Sequence, residues 1–298
     1  MIYLRHFNLR EPPFGITPDT SFFFACPSIQ EALNTLLVAV SNGEGFIKIT
    51  GEVGTGKTLL CRKLLTTLDA GWVSAYIPNP NLEPRTLLLA LADELGLKVD
   101  DGLDQHHLLK ALNLALLNFA RQKKRVIVCL DETQAMPIES LETLRLLTNL
   151  ETEKRKLVQV VLFGQPELDK KLEQESIRQL RQRITFQHHL GTLTRSEVGH
   201  YLAHRMAIAG YTGDTVFSAA AVRSIHRASR GVPRLINILA NKSLMLAFGE
   251  GRRRAAWRHV RAAIGDTPAA TEWRRAWIWA CLICAACTTT GWLLLASV

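Results

Sequence analysis

Two kinds of apolar pattern alternate along the first part of the chain. Short runs rich in β-branched residues predict strands at 46–50, 72–77, 125–131, 156–163 and 184–188. Longer stretches with apolar residues three or four positions apart predict helices at 28–41, 58–67, 86–97, 106–121, 138–150 and 167–182. Strands that alternate with helices indicate a parallel sheet covered by helices. The predicted fold class is therefore α/β, with a parallel five-stranded sheet.

After residue 190 the strand pattern stops and helical periodicity continues. Thr194-Arg-Ser-Glu197 has the form of a capping box at a helix start. Pro233 suits the first turn of a later helix. Helices are predicted at 194–210, 214–229 and 233–248. We therefore predict an N-terminal lead-in (1–27), an α/β core (28–190), a helical lid (191–250), a basic segment (251–275) and a C-terminal apolar helix (276–298).

A glycine-rich loop joins the first predicted strand to the helix that follows it. Its sequence, Gly51-Glu-Val-Gly-Thr-Gly-Lys-Thr58, matches the phosphate-binding pattern G-x-x-x-x-G-K-[ST], the P-loop. Glycines let such a loop wrap closely, so that backbone N–H groups and the helix N-terminus face the phosphates. Lys57 is predicted to reach the β- and γ-phosphates, and Thr58 to bind Mg²⁺. The predicted nucleotide-binding residues are Gly51, Glu52, Val53, Gly54, Thr55, Gly56, Lys57, Thr58 and Leu59.

The third predicted strand ends in two carboxylates. Its apolar run leads to Asp131, and Glu132 follows directly. Open α/β sheets bind their ligands at the carboxyl ends of the strands. Asp131 is therefore predicted to hold Mg²⁺ together with Thr58, and Glu132 to activate the attacking water. Two carboxylates at this position, combined with a P-loop, predict hydrolysis of a nucleoside triphosphate.

The base of the nucleotide is predicted to be adenine. Guanine-binding enzymes use an Asn-Lys-x-Asp strand end to recognise their base. Asn241-Lys-Ser-Leu244 lacks that aspartate and lies within an apolar helical stretch. The predicted cofactors are therefore ATP and Mg²⁺.

Four further side chains are candidates for sensing the γ-phosphate. Gln165 follows the fourth predicted strand, so its amide is expected to reach the water held by Glu132, unless it only starts a loop. Arg181 and Arg183 end a helix just before the last strand, where a ring-forming ATPase presents an arginine to its neighbour's nucleotide. Arg183 is preferred of the two, although both have the alternative of being ordinary surface arginines. Arg234 begins a lid helix and is expected to fold over the phosphates.

The last 23 residues, 276–298, contain no charged side chain. A helix of this length measures about 35 Å, compared with about 30 Å of bilayer hydrocarbon. Tryptophans near its start are typical of a membrane interface, and positively charged flanks stay cytoplasmic. We therefore predict a single-pass inner-membrane protein whose ATPase domain is cytoplasmic; a buried soluble helix is the alternative. The tryptophans are Trp273, Trp277 and Trp279, and the flanking arginines are Arg252, Arg253, Arg254, Arg258, Arg261, Arg274 and Arg275.

The net charge of +9 is concentrated next to that apolar segment. The seven flanking arginines, set against Asp266 and Glu272, give residues 251–298 five of the nine net positive charges. Such a cluster is expected to attract anionic lipid. The modest charge of the remaining residues is only a weak indication of nucleic-acid binding, so nucleic acid is not the expected partner.

An ordered set of motifs runs through residues 3–265: FNLREPPFGITPD, GEVGTGKT, the Asp131–Gln134 stretch, FGQPEL, LRQRI and GVPRLIN. Together they make this part of the chain similar to the AAA+ ATPases of the ExeA/GspA type. The resemblance implies an AAA+ core with a helical lid, active as a homo-oligomer with shared sites. Asp131-Glu-Thr-Gln134 differs from the family's more usual Asp-Glu-Ala-Gln without affecting either carboxylate.

The resemblance also implies a cellular role. ExeA/GspA-type proteins continue from the membrane into a periplasmic peptidoglycan-binding domain, whereas this chain is expected to end at the crossing. In length it is similar to the MSHA-type pilus biogenesis ATPases. These families imply ATP-driven assembly of a type IV pilus or a type II secretion apparatus, with an inner-membrane assembly protein as partner. A DNA-binding AAA+ regulator of the transposition-ATPase type is the alternative, because such proteins resemble the same core. A nucleotide-gated scaffold that scarcely hydrolyses ATP is a third possibility.

Overall fold

The computed structural model describes residues 2–149, 151–152 and 155–271. These residues fall into two compact units. Pro18–Gly191 forms the first, which we call the core unit. The residues up to Thr17, together with those from Thr192 onward, form the second, which we call the lid unit.

The core unit alternates strands and helices. In chain order its strands are β1 (Phe46–Gly51), β2 (Trp72–Ile77), β3 (Arg125–Leu130), β4 (Glu151–Thr152), β5 (Arg155–Lys156), β6 (Val158–Gly164) and β7 (Ile184–Leu190). Its helices are α1 (Pro27–Asn42), α2 (Lys57–Thr67), α3 (Pro84–Glu94), α4 (Gln105–Arg121), α5 (Ile138–Leu147), α6 (Glu167–Leu172) and α7 (Arg178–Arg183). Single 3₁₀ turns lie at Thr20–Phe22, Thr133–Ala135 and Glu175–Ile177.

Five of the strands form one sheet, which confirms the predicted fold class. Their order is β2-β3-β6-β1-β7, and every neighbouring pair is parallel. The two-residue strands β4 and β5 form a separate antiparallel pair. Strand β6 is buried along its whole length, and β3 along all but its first residue. Strands covered on both faces need apolar residues at nearly every position, which explains their continuous hydrophobic sequences.

Helices cover both faces of the sheet. On one face, α3, α4 and α5 pack their leucines against the strands, with Leu88, Leu112 and Leu141 fully buried. On the other face, α1 and α2 bury Leu36 and Leu60. Each such leucine contributes about 2 kcal/mol of hydrophobic stabilisation. The packed sheet therefore holds in place the loops that extend from the ends of its strands.

The helix predicted at 167–182 is divided in the structure. Helix α6 ends at Leu172, and α7 begins at Arg178 after a 3₁₀ turn. The reason lies in the spacing of two buried residues, Leu172 and Ile177. Positions five apart do not share a face of a regular helix, so a break between them lets both side chains reach the core. The prediction of one continuous helix was wrong.

The lid unit is helical. Its helices are α8 (Arg195–Ile208), α9 (Ala219–Ser229), α10 (Pro233–Gly249) and α11 (Trp257–Gly265). The predicted capping box is present, because the Thr194 side chain accepts from the Glu197 N–H and the Glu197 carboxylate accepts from the Thr194 N–H. Helix α11 was not predicted from the sequence. It lies in the predicted basic segment and packs against α9 and α10, burying Val260 and Ala263.

A buried arginine joins the N-terminal lead-in to the lid helices by hydrogen bonds. Arg205 on α8 is 6% exposed, and its guanidinium donates to the carbonyl oxygens of Pro13 and Gly15 and to the Tyr201 hydroxyl. Asn237 on α10 also donates to Gly15 O (3.1 Å) and accepts from the Tyr201 hydroxyl (2.9 Å). Residues 2–17 are thus tied by their backbone to two helices of the lid unit.

The predicted membrane-spanning segment, 276–298, lies outside the described residues. Within residues 2–149, 151–152 and 155–271, no helix combines the length and the apolar character that a membrane crossing requires.

Candidate active site

The glycine-rich loop connects β1 to α2 and depends on its glycines. Gly54 and Gly56 have φ angles of 82° and 103°, which residues with a side chain rarely adopt. Gly51 has an ordinary φ but no free space, since a Cβ there would lie 2.7 Å from the carbonyl oxygen of Leu190. The loop can therefore approach a ligand closely and present its backbone N–H groups at the start of a helix, as phosphate binding requires.

Lys57 is the first residue of α2 and is only 5% exposed. Its Nζ donates to the carbonyl oxygens of Gly51 (2.7 Å) and Glu52 (3.0 Å). Burial lowers the pKa of Lys57, while the nearby carboxylates Glu132 and Asp131 act in the opposite direction. The ammonium group is therefore held against the same loop that would bind phosphates.

The other predicted binding residues of the loop differ in exposure. Glu52 and Val53 are exposed at its outer edge, and Val53 is 52% exposed. Thr55 is buried, and its hydroxyl closes the loop by donating to Glu52 O (2.9 Å). Leu59 is half-buried on α2. A ligand in this loop would meet backbone groups more than side chains.

Thr58 and Asp131 are in direct contact. The Thr58 hydroxyl donates to Asp131 Oδ2 at 2.5 Å, and Asp131 is 2% exposed. Burial raises the pKa of Asp131, and the hydrogen bond from Thr58 counteracts it. Mg²⁺ takes oxygen ligands and is commonly held by one or two carboxylates together with substrate phosphates. A hydroxyl and a carboxylate next to a phosphate-binding loop fit that requirement.

Glu132 follows Asp131, and two amides hold its carboxylate. Glu132 Oε2 accepts hydrogen bonds from Gln134 Nε2 (2.6 Å) and from Gln165 Nε2 (3.0 Å). Burial by itself would raise the pKa of Glu132, but the two amides, with help from the charge of Lys57, lower it below its ordinary value. Glu132 is therefore ionised at neutral pH, the state in which a carboxylate accepts a proton from water.

The order of the strands explains why these residues meet. Strand β6 lies between β3 and β1 in a parallel sheet. The residues that follow these three strands are therefore neighbours at one edge of the sheet, and they are the acidic pair, Gln165 and the P-loop. This is the edge at which parallel α/β sheets bind ligands.

The predicted arginines Arg181 and Arg183 lie at the end of α7. Arg183 is half-buried at the end of α7 and donates to Arg145 O and to the Thr148 hydroxyl, both at 3.4 Å. Arg181, two residues earlier, is exposed. Arg234 belongs to the lid unit, where it is exposed in the first turn of α10.

Gln134 was not predicted as a site residue. Its contact with Glu132 depends on a backbone feature, because Glu132 has a φ of 54° and opens a 3₁₀ turn. That turn brings the side chains of Glu132 and Gln134 together although they are two positions apart. In the sequence, Gln134 is marked only by the Thr-Gln pair that follows the acidic residues and contributes to the family resemblance. That pair does not by itself predict a chemical role for Gln134.

Comparisons with known proteins agree with this geometry. The family model described as an AAA domain matches residues 40–172. General secretion pathway protein A of Aeromonas hydrophila is 42% identical over 250 residues, which cover 84% of this chain and 46% of that protein. The chain thus spans about half the length of this relative.

Solved structures share the fold at low sequence identity. Cdc6p of Pyrobaculum aerophilum matches with a TM-score of 0.65 and 19% identity, over 83% of this chain and 70% of that one. The ORC2 protein of Aeropyrum pernix, solved in ADPNP–ADP complexes, matches with a TM-score of 0.61 and 19% identity, over 84% and 72% of the two chains. These likenesses establish the α/β AAA+ architecture.

Proposed function

We propose that this chain, which belongs to the ExeA/GspA-type family of AAA+ ATPases, hydrolyses ATP to drive assembly of a secretion or pilus apparatus at the inner membrane. The carboxylate pair of the site carries the chemical part of the proposal. Asp131 contacts Thr58 of the P-loop, while the adjacent Glu132 is ionised and held by two amides. A metal-binding pair beside a general base fits hydrolysis of a nucleoside triphosphate.

Each residue has a role in the proposed reaction. The P-loop N–H groups and Lys57 would bind the phosphates, and Thr58 with Asp131 would hold Mg²⁺. When bound, the metal would supply positive charge that offsets the charge developing on the phosphates. Glu132 accepts a proton from the attacking water. The Gln165 amide donates to the Glu132 carboxylate and helps to orient that carboxylate.

The proposed active form is a homo-oligomer with shared sites. An arginine at the end of α7, either Arg183 or the exposed Arg181, acts on the nucleotide bound by a neighbouring copy. Arg234 is proposed to fold over the nucleotide bound by its own chain.

The proposed location is the inner membrane, with the ATPase domain in the cytoplasm. The uncharged stretch at 276–298 and the arginines before it support a single membrane anchor. The name of the Aeromonas relative supports a role in secretion. An MSHA-like type IV pilus and a type II secretion apparatus are the two assemblies proposed, with an inner-membrane assembly protein as the partner.

The chemical proposal is tested by nucleotide binding and turnover of the full chain. Lys57→Ala removes the cation that binds the phosphates, and one charge-assisted hydrogen bond is worth about 1.5–3 kcal/mol. We expect ATP affinity to fall by about 10- to 100-fold or more, measured by calorimetric titration with Mg²⁺. Glu132→Gln should retain affinity but lose about 100-fold or more in turnover. Unchanged ATP affinity in Lys57→Ala would contradict the assignment of the P-loop.

The cellular proposal is tested with the Glu132→Gln chain, which is expected to hold ATP without consuming it. Binding to duplex DNA at physiological salt is measured with and without ATP, together with oligomer size. ATP-dependent assembly without DNA affinity supports the membrane role. Tight, ATP-dependent DNA binding would instead favour a DNA-binding regulator. Cell fractionation tests the anchor, because the full chain should sediment with the inner membrane and a chain ending at residue 271 should not.

A further inference from the structure

The side chain of Gln134 joins the general base to the end of a neighbouring strand. Its Nε2 donates to Glu132 Oε2 (2.6 Å), and its Oε1 accepts from the backbone N–H of Gln165 (3.0 Å). We propose that Gln134 is a positioning residue for hydrolysis, which holds the Glu132 carboxylate in one orientation and couples that orientation to the residue that follows β6. The inference rests on the proposed function, because it concerns the residue that activates water.

The hydrogen bonds around Glu132 form a closed ring of three residues. Gln134 and Gln165 both donate to Glu132 Oε2, and Gln134 is itself held by the Gln165 backbone. Among the described residues, no hydrogen-bond donor reaches the other carboxylate oxygen, Oε1. The two amides therefore fix one oxygen and leave the second to accept a proton from water.

The backbone of this turn is fixed independently of the Gln134 side chain. The buried Thr133 hydroxyl donates to Phe163 O on β6 (2.7 Å), and Lys171 Nζ donates to the carbonyl oxygens of Gln134 and Met136, both at 2.6 Å. A Cβ at Gly164 would lie 2.9 Å from the Thr133 hydroxyl oxygen, so the strand end and the turn are in close contact. Replacing the Gln134 side chain should consequently remove its amide without moving the turn.

A positioning role and a purely structural role of Gln134 predict different effects on stability and turnover. A structural residue would affect stability, and its loss would reduce turnover whatever residue stood at position 132. A positioning residue acts through Glu132, so its effect should vanish once Glu132 cannot serve as a base. Nucleotide binding should be unaffected, because Gln134 makes no hydrogen bond to the proposed phosphate or metal ligands within the described part of the chain.

The first experiment measures steady-state hydrolysis by the full chain with Mg²⁺ and ATP. Gln134→Met keeps the length of the side chain and removes its amide. We expect kcat to fall by about 10- to 100-fold, because small errors in the position of a catalytic group carry penalties of this size. KM and the affinity for ATP should stay within about twofold of the parent values. Gln122→Met, the same substitution at an exposed position after α4, is the matched control and should leave both constants unchanged.

The second experiment places Gln134→Met in the Glu132→Gln chain. If Gln134 acts through Glu132, the double variant should show the same residual turnover as Glu132→Gln alone. If Gln134→Met does not fold, as judged by its unfolding temperature, Gln134→Ala serves in its place. That substitution also removes the amide without adding a charge, so it should give the same pattern.

The outcomes distinguish this inference from the function on which it rests. Turnover of Gln134→Met within twofold of the parent, or an equal loss in the Glu132→Gln background, would overturn the positioning role alone. Hydrolysis by the parent chain that is insensitive to both Lys57→Ala and Glu132→Gln would overturn the proposed chemistry together with the inference.

Discussion

The two units both bury a cation, but they surround it differently. In the lid unit, Arg205 donates to backbone carbonyls of the lead-in and to a tyrosine hydroxyl. In the core unit, Lys57 donates to carbonyls of the very loop that would bind phosphates, with Asp131 and Glu132 nearby. Arg205 therefore holds the lead-in through hydrogen bonds, whereas Lys57 lies where a bound phosphate would compete with the loop carbonyls for its ammonium group.

This contrast predicts opposite consequences for stability. A buried charge whose hydrogen bonds are all made within the fold stabilises it, and removing that charge leaves buried acceptors without donors. Charged groups kept for a ligand cost stability until the ligand binds, and replacing them commonly stabilises the empty protein while function is lost. The free energy of unfolding should therefore fall when the lid cation Arg205 is replaced and rise when the buried carboxylate Asp131 is replaced.

The largest change is expected for Arg205→Ala. It removes the hydrogen bonds to Pro13 O and to the Tyr201 hydroxyl, and one of the two that Gly15 O accepts, since Asn237 donates the other. Each buried acceptor left without a partner costs about 1–3 kcal/mol, and we expect a total loss of about 3 kcal/mol, measured by urea unfolding. Arg223→Ala, at an exposed position on α9, is the control and should change stability by less than about 0.5 kcal/mol. Equal stability of the two variants would mean that Arg205 does not hold the lead-in.

The opposite sign is expected for Asp131→Asn. Burial raises the folded-state pKa of Asp131 above its ordinary value, so the ionised carboxylate destabilises the ligand-free fold. That cost is fully present above the folded pKa and disappears below the unfolded pKa of about 4. At neutral pH, without Mg²⁺ or nucleotide, Asp131→Asn should gain on the order of 1 kcal/mol. The gain should shrink as the pH falls towards 4, which unfolding measured across that range would detect.

Glu132→Gln is the counterpart of that substitution. Burial would raise the pKa of Glu132, but the amides of Gln134 and Gln165 lower it overall. A carboxyl group with a lowered folded pKa contributes stability above its unfolded pKa and loses it as the pH falls through the folded value. Glu132→Gln should therefore lower stability slightly at neutral pH. A gain equal to that of Asp131→Asn would show that the two carboxylates do not differ in this way.

The success of prediction from sequence depended on whether the interacting residues are close along the chain. The parallel sheet followed from runs of five to eight residues, and its prediction is confirmed. The P-loop and the acidic pair Asp131-Glu132 are likewise local patterns beside a strand. The role of Gln134 depends on the left-handed backbone of Glu132, for which a glutamate gives no warning. Arg205 binds carbonyls about 190 residues earlier, so no periodicity in the sequence reveals its partners.

A small change in stability is also expected at the end of α7. Arg183 donates to Arg145 O and the Thr148 hydroxyl at the end of α5, and loss of such hydrogen bonds costs about 0.5–1.5 kcal/mol. Arg183→Ala should therefore be destabilised by about 1 kcal/mol or less, whereas Arg181→Ala, at an exposed position, should unfold like the parent chain. Urea unfolding of the two variants distinguishes them.

The same two variants identify the arginine that acts on a neighbouring copy. A variant that lacks this arginine should bind ATP normally and hydrolyse it slowly, because each of its sites lacks only the arginine from the neighbouring copy. Mixing this variant with Lys57→Ala should restore part of the turnover, since the Lys57→Ala chain still supplies an arginine to a site with an intact P-loop. We expect this restoration for Arg183→Ala. If mixing restores turnover for Arg181→Ala but not for Arg183→Ala, Arg181 is the arginine that acts on the neighbouring nucleotide. Arg183 would then have a structural role only, as Arg205 has in the lid unit. No restoration with either would remove the shared site.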